Sequence, residues 1–251
     1  MRSKILPPAI TLVVVLAAWQ VYVQVSGIRA RVLPSPARIV SQGWSHRADI
    51  APHVVATLQV TLIGFAVSMS IAWALAILVD FVPILRRAFV PLFVVSQTLP
   101  IIAIAPLMII WFGIGLFPKV VLVALTTFFP VTIGLIEGFR STDREASALL
   151  ASMGASRWQL FRYVRLPGAM PRFFTALRIG ITYAVVGAVF AEYAGSEAGL
   201  GVYMLRQKQV FRTDLVLAAV VVTSLLTIAL FLLTYLAERV IAPWALQERV
   251  R

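Results

Sequence analysis

Long stretches without a charged residue alternate with short charged segments along this chain. Residues 54–79, 88–118 and 215–237 contain no Asp, Glu, Lys or Arg. A helix needs about 20 consecutive apolar residues to cross the roughly 30 Å hydrocarbon core of a bilayer, whereas runs of about 10–14 residues are typical of soluble cores. The three stretches therefore predict membrane-spanning helices.

Division of the chain at its charges, prolines and glycines predicts six spans. We expect them at residues 5–25, 54–79, 88–112, 119–139, 173–195 and 215–237. Together they form one transmembrane domain, residues 1–251, of the all-α integral membrane class. The first apolar run exceeds the roughly 7–15 residues of a signal-peptide core, which favours a retained span. In the fourth span, Gly134 and Gly138 have the spacing that allows close helix contact.

Polar and helix-breaking residues within the spans are the candidates for a transport pathway. Prolines in the third span free backbone carbonyls, which need partners in the protein or in a water-lined cavity. Arg178 and Glu192 lie near the two ends of the fifth span, where we expect both side chains to reach water. Depth and polarity select as pathway candidates Gln97, Thr98, Pro100, Tyr183 and Glu192. The alternative is a kinked third span packed against its neighbours.

A charged block, residues 142–167, separates the fourth and fifth spans and has helical periodicity of its own. Thr142 with Glu145, and Ser156 with Gln159, have the spacing of a capping box. Four apolar residues between the caps share one helical face: Ala146, Leu149, Leu150 and Met153. Glycine permits the backbone angles of a tight turn and proline ends a helix. We therefore expect two short helices that meet at Gly154 and Ala155 and end at Leu166 and Pro167, within a loop of residues 140–172.

The composition excludes a soluble globular protein, because 61% of the residues are hydrophobic and 13% are charged. A net charge of +12 is compatible with nucleic-acid binding, but the chain has no predicted soluble domain to carry it. Lys and Arg beside spans instead hold loops in the cytoplasm and contact anionic lipid. These residues number 13 in the proposed cytoplasmic segments and 8 in the outer ones. Both termini are therefore expected in the cytoplasm.

Several kinds of chemistry are absent from the sequence. With no Cys, the chain has no disulfide, thiolate metal site or Cys nucleophile. None of its three lysines follows a glycine, so it has no phosphate-binding loop for ATP. His46 and His53 are too few for a metal site by themselves. We expect a chain that is not an enzyme and binds neither a metal nor a cofactor.

The charged block resembles the coupling loop of binding-protein-dependent ABC importer permeases. In that family a Gly is followed by nine residues, Ile or Val, one residue, then Leu-Pro, as in Gly154, Val164, Leu166 and Pro167. The similarity extends to LPSP at residues 33–36, to residues 105–115 and to residues 129–130. The chain looks like a permease of the nitrate, taurine and sulfonate group, and residues 154–158 and 184–201 look closer to permeases for thiamine-precursor pyrimidines or riboflavin. The family's Glu-Ala-Ala would begin at Ala148, whereas Glu145 lies three residues earlier.

This resemblance implies the fold of a type I ABC importer transmembrane domain and a place in the bacterial inner membrane. It implies a second copy of the chain, two ATP-binding cassette subunits that bind ATP and Mg²⁺, and an extracytoplasmic binding protein. Outer residues that could contact acidic groups on that protein are Arg206, Lys208 and Arg212, although a purely solvated loop is the alternative. The residues implied in coupling to the ATPase are Glu145, Ala146, Leu149, Leu150, Met153, Gly154, Ala155, Val164, Leu166 and Pro167.

The function predicted from the resemblance is import of a small organic solute. The first expectation is a hydroxymethylpyrimidine-type thiamine precursor or riboflavin, followed by an aliphatic sulfonate, taurine or nitrate. One alternative is an ion-coupled secondary transporter that uses Glu192 or Arg178. It predicts an inverted repeat, but residues 1–125 have no counterpart of the charged block. A membrane scaffold without transport is the third possibility.

Overall fold

The computed structural model describes residues 2–96, 98 and 100–244. This part of the chain is helical and contains no strand. Its helices are α1 (Arg2–Ser26), α2 (Pro36–Ser45), α3 (Arg47–Phe81), α4 (Pro83–Ser96), α5 (Ile101–Phe112), α6 (Leu116–Arg140), α7 (Arg144–Ser152), α8 (Arg157–Leu160), α9 (Leu166–Ala194), α10 (Leu200–Gln209) and α11 (Thr213–Ile241). A π-helical turn, Phe161–Arg165, joins α8 to α9.

Five helical segments among the described residues are long and apolar enough to cross a membrane. They are Leu6–Ser26, Arg47–Phe81, Leu116–Arg140, Arg157–Ala194 and Thr213–Ile241. A shorter apolar helix covers Ala103–Phe112. The predicted all-α membrane fold is confirmed.

The predicted third span, residues 88–112, is divided between two helices. Helix α4 ends at Ser96, and α5 begins at Ile101 after Pro100, whose backbone is extended with φ −73° and ψ 104°. Proline lacks an N–H group and disfavours the helical conformation of the residue before it. The break at Pro100 follows from both effects, whereas Pro91 and Pro106 are accommodated inside their helices.

The described chain forms two compact units. One contains the residues up to Thr57 together with Glu197–Leu225, and the other contains Leu58–Ser196 together with the residues from Leu226 onward. In the smaller unit, the first N–H groups of α10 find acceptors on α3. Gly199 N–H donates to His53 Nδ1 at 3.0 Å, and Leu200 N–H donates to Thr57 Oγ1 at 2.8 Å. His53 therefore caps a helix, since the first N–H groups of a helix have no acceptor within it.

In the larger unit, α6 and α9 pack closely along each other at small residues. A Cβ atom added to Gly134 would lie 2.3 Å from the Ala176 Cβ atom, and one added to Gly138 would lie 3.0 Å from that of Ala169. Helices approach each other this closely only where a side chain is missing. The contact predicted from the spacing of the two glycines is confirmed.

Arg178 and Glu192, which the sequence predicts to reach water, are both buried. Arg178 is 8% exposed and Glu192 is 1% exposed. The Arg178 guanidinium donates to Glu238 Oε2 at 2.5 Å, and Glu238, which follows the last predicted span, is itself buried within α11. A charge is costly to remove from water unless an opposite charge compensates it. The ion pair between α9 and α11 is the physical reason why Arg178 does not extend to solvent.

Candidate coupling site

Helix α7 begins one residue later than the sequence predicts. Asp143, not Thr142, is its N-cap: Asp143 Oδ1 accepts from the N–H groups of Glu145 (2.8 Å) and Ala146 (3.3 Å). The Thr142 hydroxyl instead donates to the Phe139 carbonyl, 3.1 Å away. The predicted capping box of Thr142 and Glu145 is therefore wrong. A carboxylate at the cap is favoured because it also interacts with the positive end of the helix dipole.

Helix α7 ends at a glycine turn, as predicted. Gly154 has φ +84°, a conformation that side-chain-bearing residues rarely adopt. Its N–H group donates to Ala151 O, and the Ala155 N–H group donates to Leu150 O, at 3.0 and 3.1 Å. These two bonds form a Schellman motif, which satisfies carbonyls at the end of a helix. A Cβ atom at Gly154 would contact nothing within 4 Å, so the backbone angle alone favours glycine here.

The second short helix, α8, has the predicted capping box. Ser156 Oγ accepts from the Gln159 N–H group at 3.3 Å, and Gln159 Oε1 accepts from the Ser156 N–H group at 2.7 Å. The helix does not end at Pro167, however. It continues through the π-helical turn into α9, and Pro167 lies in the first turn of α9, directly after this irregular turn. The predicted loop, residues 140–172, therefore includes the beginning of α9.

Helix α7 has no buried residue, although one of its faces is apolar. Leu149 is 63% exposed and Met153 is 75% exposed, while Ala146 and Leu150 are partly buried. Glu145 is exposed, at the start of the same helix. Leu149 and Met153 are one helical turn apart, so their exposed side chains form one apolar patch, the kind of surface that can contact another molecule.

Residues after α7 anchor the block to the end of α3. Phe161 is 3% exposed and lies in the core of the larger unit. Arg165 Nη1 donates to Asp80 Oδ2 at 2.8 Å. Asp80, Phe81 and Arg165 were not among the predicted site residues. The available signal was the position of Arg165 between Val164 and Leu166 of the motif.

The four predicted pathway residues that the structure describes lie in different environments. Gln97 lies outside the described residues. Thr98 and Pro100 are exposed at the break between α4 and α5, and the Thr98 hydroxyl donates to Val95 O. Tyr183 is exposed on α9, whereas Glu192 on the same helix is buried. The structure thus separates Glu192 from the exposed candidates.

Six of the exposed residues of α9 form one stripe along the helix. Its members, at spacings of three or four residues, are Arg172, Thr175, Ile179, Tyr183, Val186 and Phe190. Beside its first part lies a groove of about 430 Å³ between α6 and α9, which both Glu137 and Arg172 line. Their side chains form an exposed ion pair at 3.8 Å.

The three basic residues predicted to contact a binding protein also differ from one another. Arg206 and Lys208 are exposed on α10, and one N–H group of Arg206 donates to the Glu197 carbonyl at 2.9 Å. Arg212 instead donates to Asp214 Oδ1 at 2.9 Å and to Gln42 Oε1 at 2.7 Å. Its guanidinium is therefore already used within the chain.

Residues 64–247 match the family described as the binding-protein-dependent transport system inner membrane component. The chain belongs to this family. It is thus a multi-pass inner-membrane permease, and the charged block that resembles the coupling loop lies within the matched residues.

Three relatives are similar to this permease over most of its length. The riboflavin transport system permease protein RibX of Chloroflexus aurantiacus is 37% identical, with 94% of this chain and 88% of the relative covered. The formylaminopyrimidine transport permease protein ThiX of Halalkalibacterium halodurans is 35% identical, with coverage of 95% and 96%. The taurine transport system permease protein TauC of Escherichia coli is 30% identical, with coverage of 93% and 88%.

A solved structure has the same fold. The crystal structure of an amino acid ABC transporter with histidines is similar with a TM-score of 0.66, at 17% sequence identity, and the similarity covers 80% of this chain and 97% of that one. This similarity supports the predicted fold of an ABC importer permease.

Proposed function

We propose that two copies of this permease couple ATP hydrolysis by two separate ATP-binding cassette subunits to the import of a small organic solute. In this proposal ATP and Mg²⁺ bind to the ATPase subunits, and an extracytoplasmic binding protein delivers the solute. Both termini lie in the cytoplasm, on the side of the charged block. The exposed apolar face of α7 is the observation that carries the proposal.

Helix α7 is the element that contacts the ATPase. An amphipathic helix binds a partner by laying its apolar face in a groove, and Leu149 and Met153 provide the exposed part of that face. Each such side chain stabilises a complex by about 1.5–3 kcal/mol when it becomes fully buried. Glu145, at the start of the helix, supplies a charge at the edge of the same surface.

The exposed stripe of α9 lines the pathway, where the two copies face each other. Polar side chains such as Arg172 and Thr175 are costly against lipid, so this face is better suited to a water-filled cavity. Tyr183 and Phe190 lie seven residues apart, on nearly the same side of the helix. Aromatic rings of this kind can stack on a planar solute.

The proposed solute is therefore a heteroaromatic compound, either a pyrimidine precursor of thiamine or riboflavin. Two relatives with at least 35% identity carry riboflavin and formylaminopyrimidine in their names. Both compounds contain planar rings, which agrees with the aromatic residues of α9.

The proposal is tested by ATP hydrolysis of the permease purified with its ATPase in lipid nanodiscs. Solute-loaded binding protein should stimulate the wild type, and Gly154→Trp should abolish that stimulation because the φ of +84° is unfavourable for tryptophan. Gly113→Trp is the matched control, since Gly113 has φ +76° and equally open surroundings.

Two results would contradict the proposal. One is that no ATPase associates with the permease, and the other is that hydrolysis is indifferent to Gly154. Uptake driven by an ion gradient without ATPase would then favour the secondary transporter.

A further inference from the structure

The charged block is attached to the end of α3 by an ion pair that the family motif does not specify. The Asp80 carboxylate and the Arg165 guanidinium are 2.8 Å apart, with side-chain exposures of 13% and 40%. They are separated by 85 residues in the sequence. Asp80 lies near the end of α3, and Arg165 is the last residue of the π-helical turn.

Aromatic contacts join the same two segments. Phe81, which follows Asp80, lies with its ring centroid 6.3 Å from Trp158 and 5.4 Å from Phe161. Trp158 and Phe161 also stack on each other at 5.5 Å. Phe81 thus contacts both α8 and the π-helical turn, and the preceding residue, Asp80, contacts the turn.

Helix α7 has no comparable attachment. It lacks buried residues, and it connects to α8 through the glycine turn at Gly154. Of the two short helices in the block, α8 continues through the π-helical turn into α9, whereas α7 projects from it. π-Helical turns interrupt regular helices and are frequent at functional sites. The chain therefore connects α7 to α6 directly, through residues 141–143, and to α9 through α8 and the π-helical turn.

Asp80 lies in a basic environment. Burial, together with the charge of Arg140, lowers the pKa of Arg86 below its usual value, and Asp80 acts in the opposite direction. Arg157 lines the same groove as Asp80 and Arg165, which has a volume of about 360 Å³. Among these basic groups, Arg165 is the one that forms a close hydrogen-bonded pair with Asp80.

We propose that Asp80 and Arg165 are positioning residues that transmit a displacement of α7 to α3. This inference rests on the proposed coupling to an ATPase. The ion pair fixes the direction of α8 against α3, and the aromatic contacts prevent the two segments from sliding. Without the pair, α7 would move with its ATPase while α3 followed only in part.

A purely stabilising role is the alternative. A partly exposed ion pair contributes little to stability, because solvent screens it. Arg162 provides a matched control, since it is an exposed arginine of the same π-helical turn, three residues before Arg165.

The inference is tested by the amount of solute transported per ATP hydrolysed, measured in proteoliposomes that contain permease, ATPase and binding protein. Arg165→Gln should lower this ratio by about threefold or more, the range expected when a coupling contact is lost. Arg165→Lys keeps the positive charge and should restore most of the ratio. Arg162→Gln, which removes an exposed positive charge from the same π-helical turn, should leave it unchanged.

A double-mutant cycle tests whether Asp80 and Arg165 act through the same interaction. If Asp80 acts through Arg165, the variant that combines Asp80→Asn with Arg165→Gln should lose no more than either single variant. Melting temperatures of all variants measure folding separately from coupling. Should Asp80→Asn fail to fold, the difference between Arg165→Gln and Arg165→Lys still decides the question.

The outcomes separate this inference from the proposed function. A wild type without ATP-dependent uptake would overturn both. A coupled wild type whose ratio is unchanged by Arg165→Gln, or equally reduced by Arg165→Gln and Arg165→Lys, would overturn the positioning role alone.

Discussion

The buried pair of Arg178 and Glu238 shows how far single residues can depart from their local sequence context. Near the end of a predicted span, a long basic side chain normally reaches water by extending along the helix. Arg178 instead meets a carboxylate 60 residues further along the chain. Its partner, Glu238, directly follows the last predicted span, residues 215–237, so local pattern could not reveal the pair.

Loss of one member of this pair should destabilise the permease strongly. We expect Arg178→Ala to lower the free energy of unfolding by about 3–5 kcal/mol, because it removes the guanidinium from a carboxylate that remains buried. Replacement of both residues, Arg178→Met with Glu238→Leu, should cost less, since no charge is then left in the site. Thermal unfolding in detergent measures the difference.

The control for this prediction is Arg172→Ala. Arg172 lies on the same helix as Arg178 and forms an exposed ion pair with Glu137. Its effect should not exceed about 1 kcal/mol. A double variant as unstable as Arg178→Ala would contradict the electrostatic explanation and would indicate that packing of the two side chains dominates.

At the scale of single elements, the sequence predicted those features that depend on hydrogen bonds between neighbouring residues. The box of Ser156 and Gln159 and the turn at Gly154 depend on neighbouring residues only, and both are present. The predicted end of the second short helix at Pro167 was wrong, because the helix continues through the π-helical turn beyond this proline. The attachment of Arg165 to Asp80 depends on the tertiary fold, which a pattern within one segment does not contain.

The apolar face of α7 leads to a prediction about partner binding. Leu149→Ser should weaken association with the ATPase about 10-fold or more, because burial of a leucine side chain contributes roughly 1.5–3 kcal/mol. Since Leu149 is 63% exposed, the melting temperature of the permease alone should not change. The affinity of the ATPase for permease in nanodiscs measures the effect.

Ala151→Ser serves as the control, because Ala151 is exposed on the opposite side of α7. It should leave ATPase affinity intact. Equal loss in both variants would mean that the whole of α7, rather than its apolar face, contacts the partner. No loss in either would move the contact away from α7.

For the whole molecule, the length of the stretches without a charged residue was the most informative property of the sequence. It predicted a membrane protein built of helices, and this is confirmed. It could not predict the division at Pro100, because a proline inside an apolar run either kinks a helix or ends it, depending on what surrounds it. Nor could it distinguish exposed Arg206 from Arg212, because Gln42, one of the two partners of Arg212, becomes its neighbour only in the folded chain.

The exposure of Arg206 and Lys208 leads to a prediction about how the permease binds its binding protein. If Arg206 and Lys208 contact acidic residues, the variant Arg206→Gln with Lys208→Gln should bind solute-loaded binding protein about two- to tenfold more weakly, because each exposed charge pair is worth roughly 0.2–1 kcal/mol. The loss should appear mainly in the association rate and should disappear as salt rises. Binding to nanodiscs at several ionic strengths measures both.

Removal of two positive charges elsewhere separates a local contact from the effect of net charge. Arg162→Gln with Arg239→Gln lowers the charge of the permease by the same amount at exposed positions outside α10. It should leave both affinity and salt dependence nearly unchanged, because charges more than about 8 Å from the contact are largely screened at physiological salt. Equal weakening by the two double variants would instead show that long-range attraction to a basic permease, and not contact with α10, brings the binding protein to it.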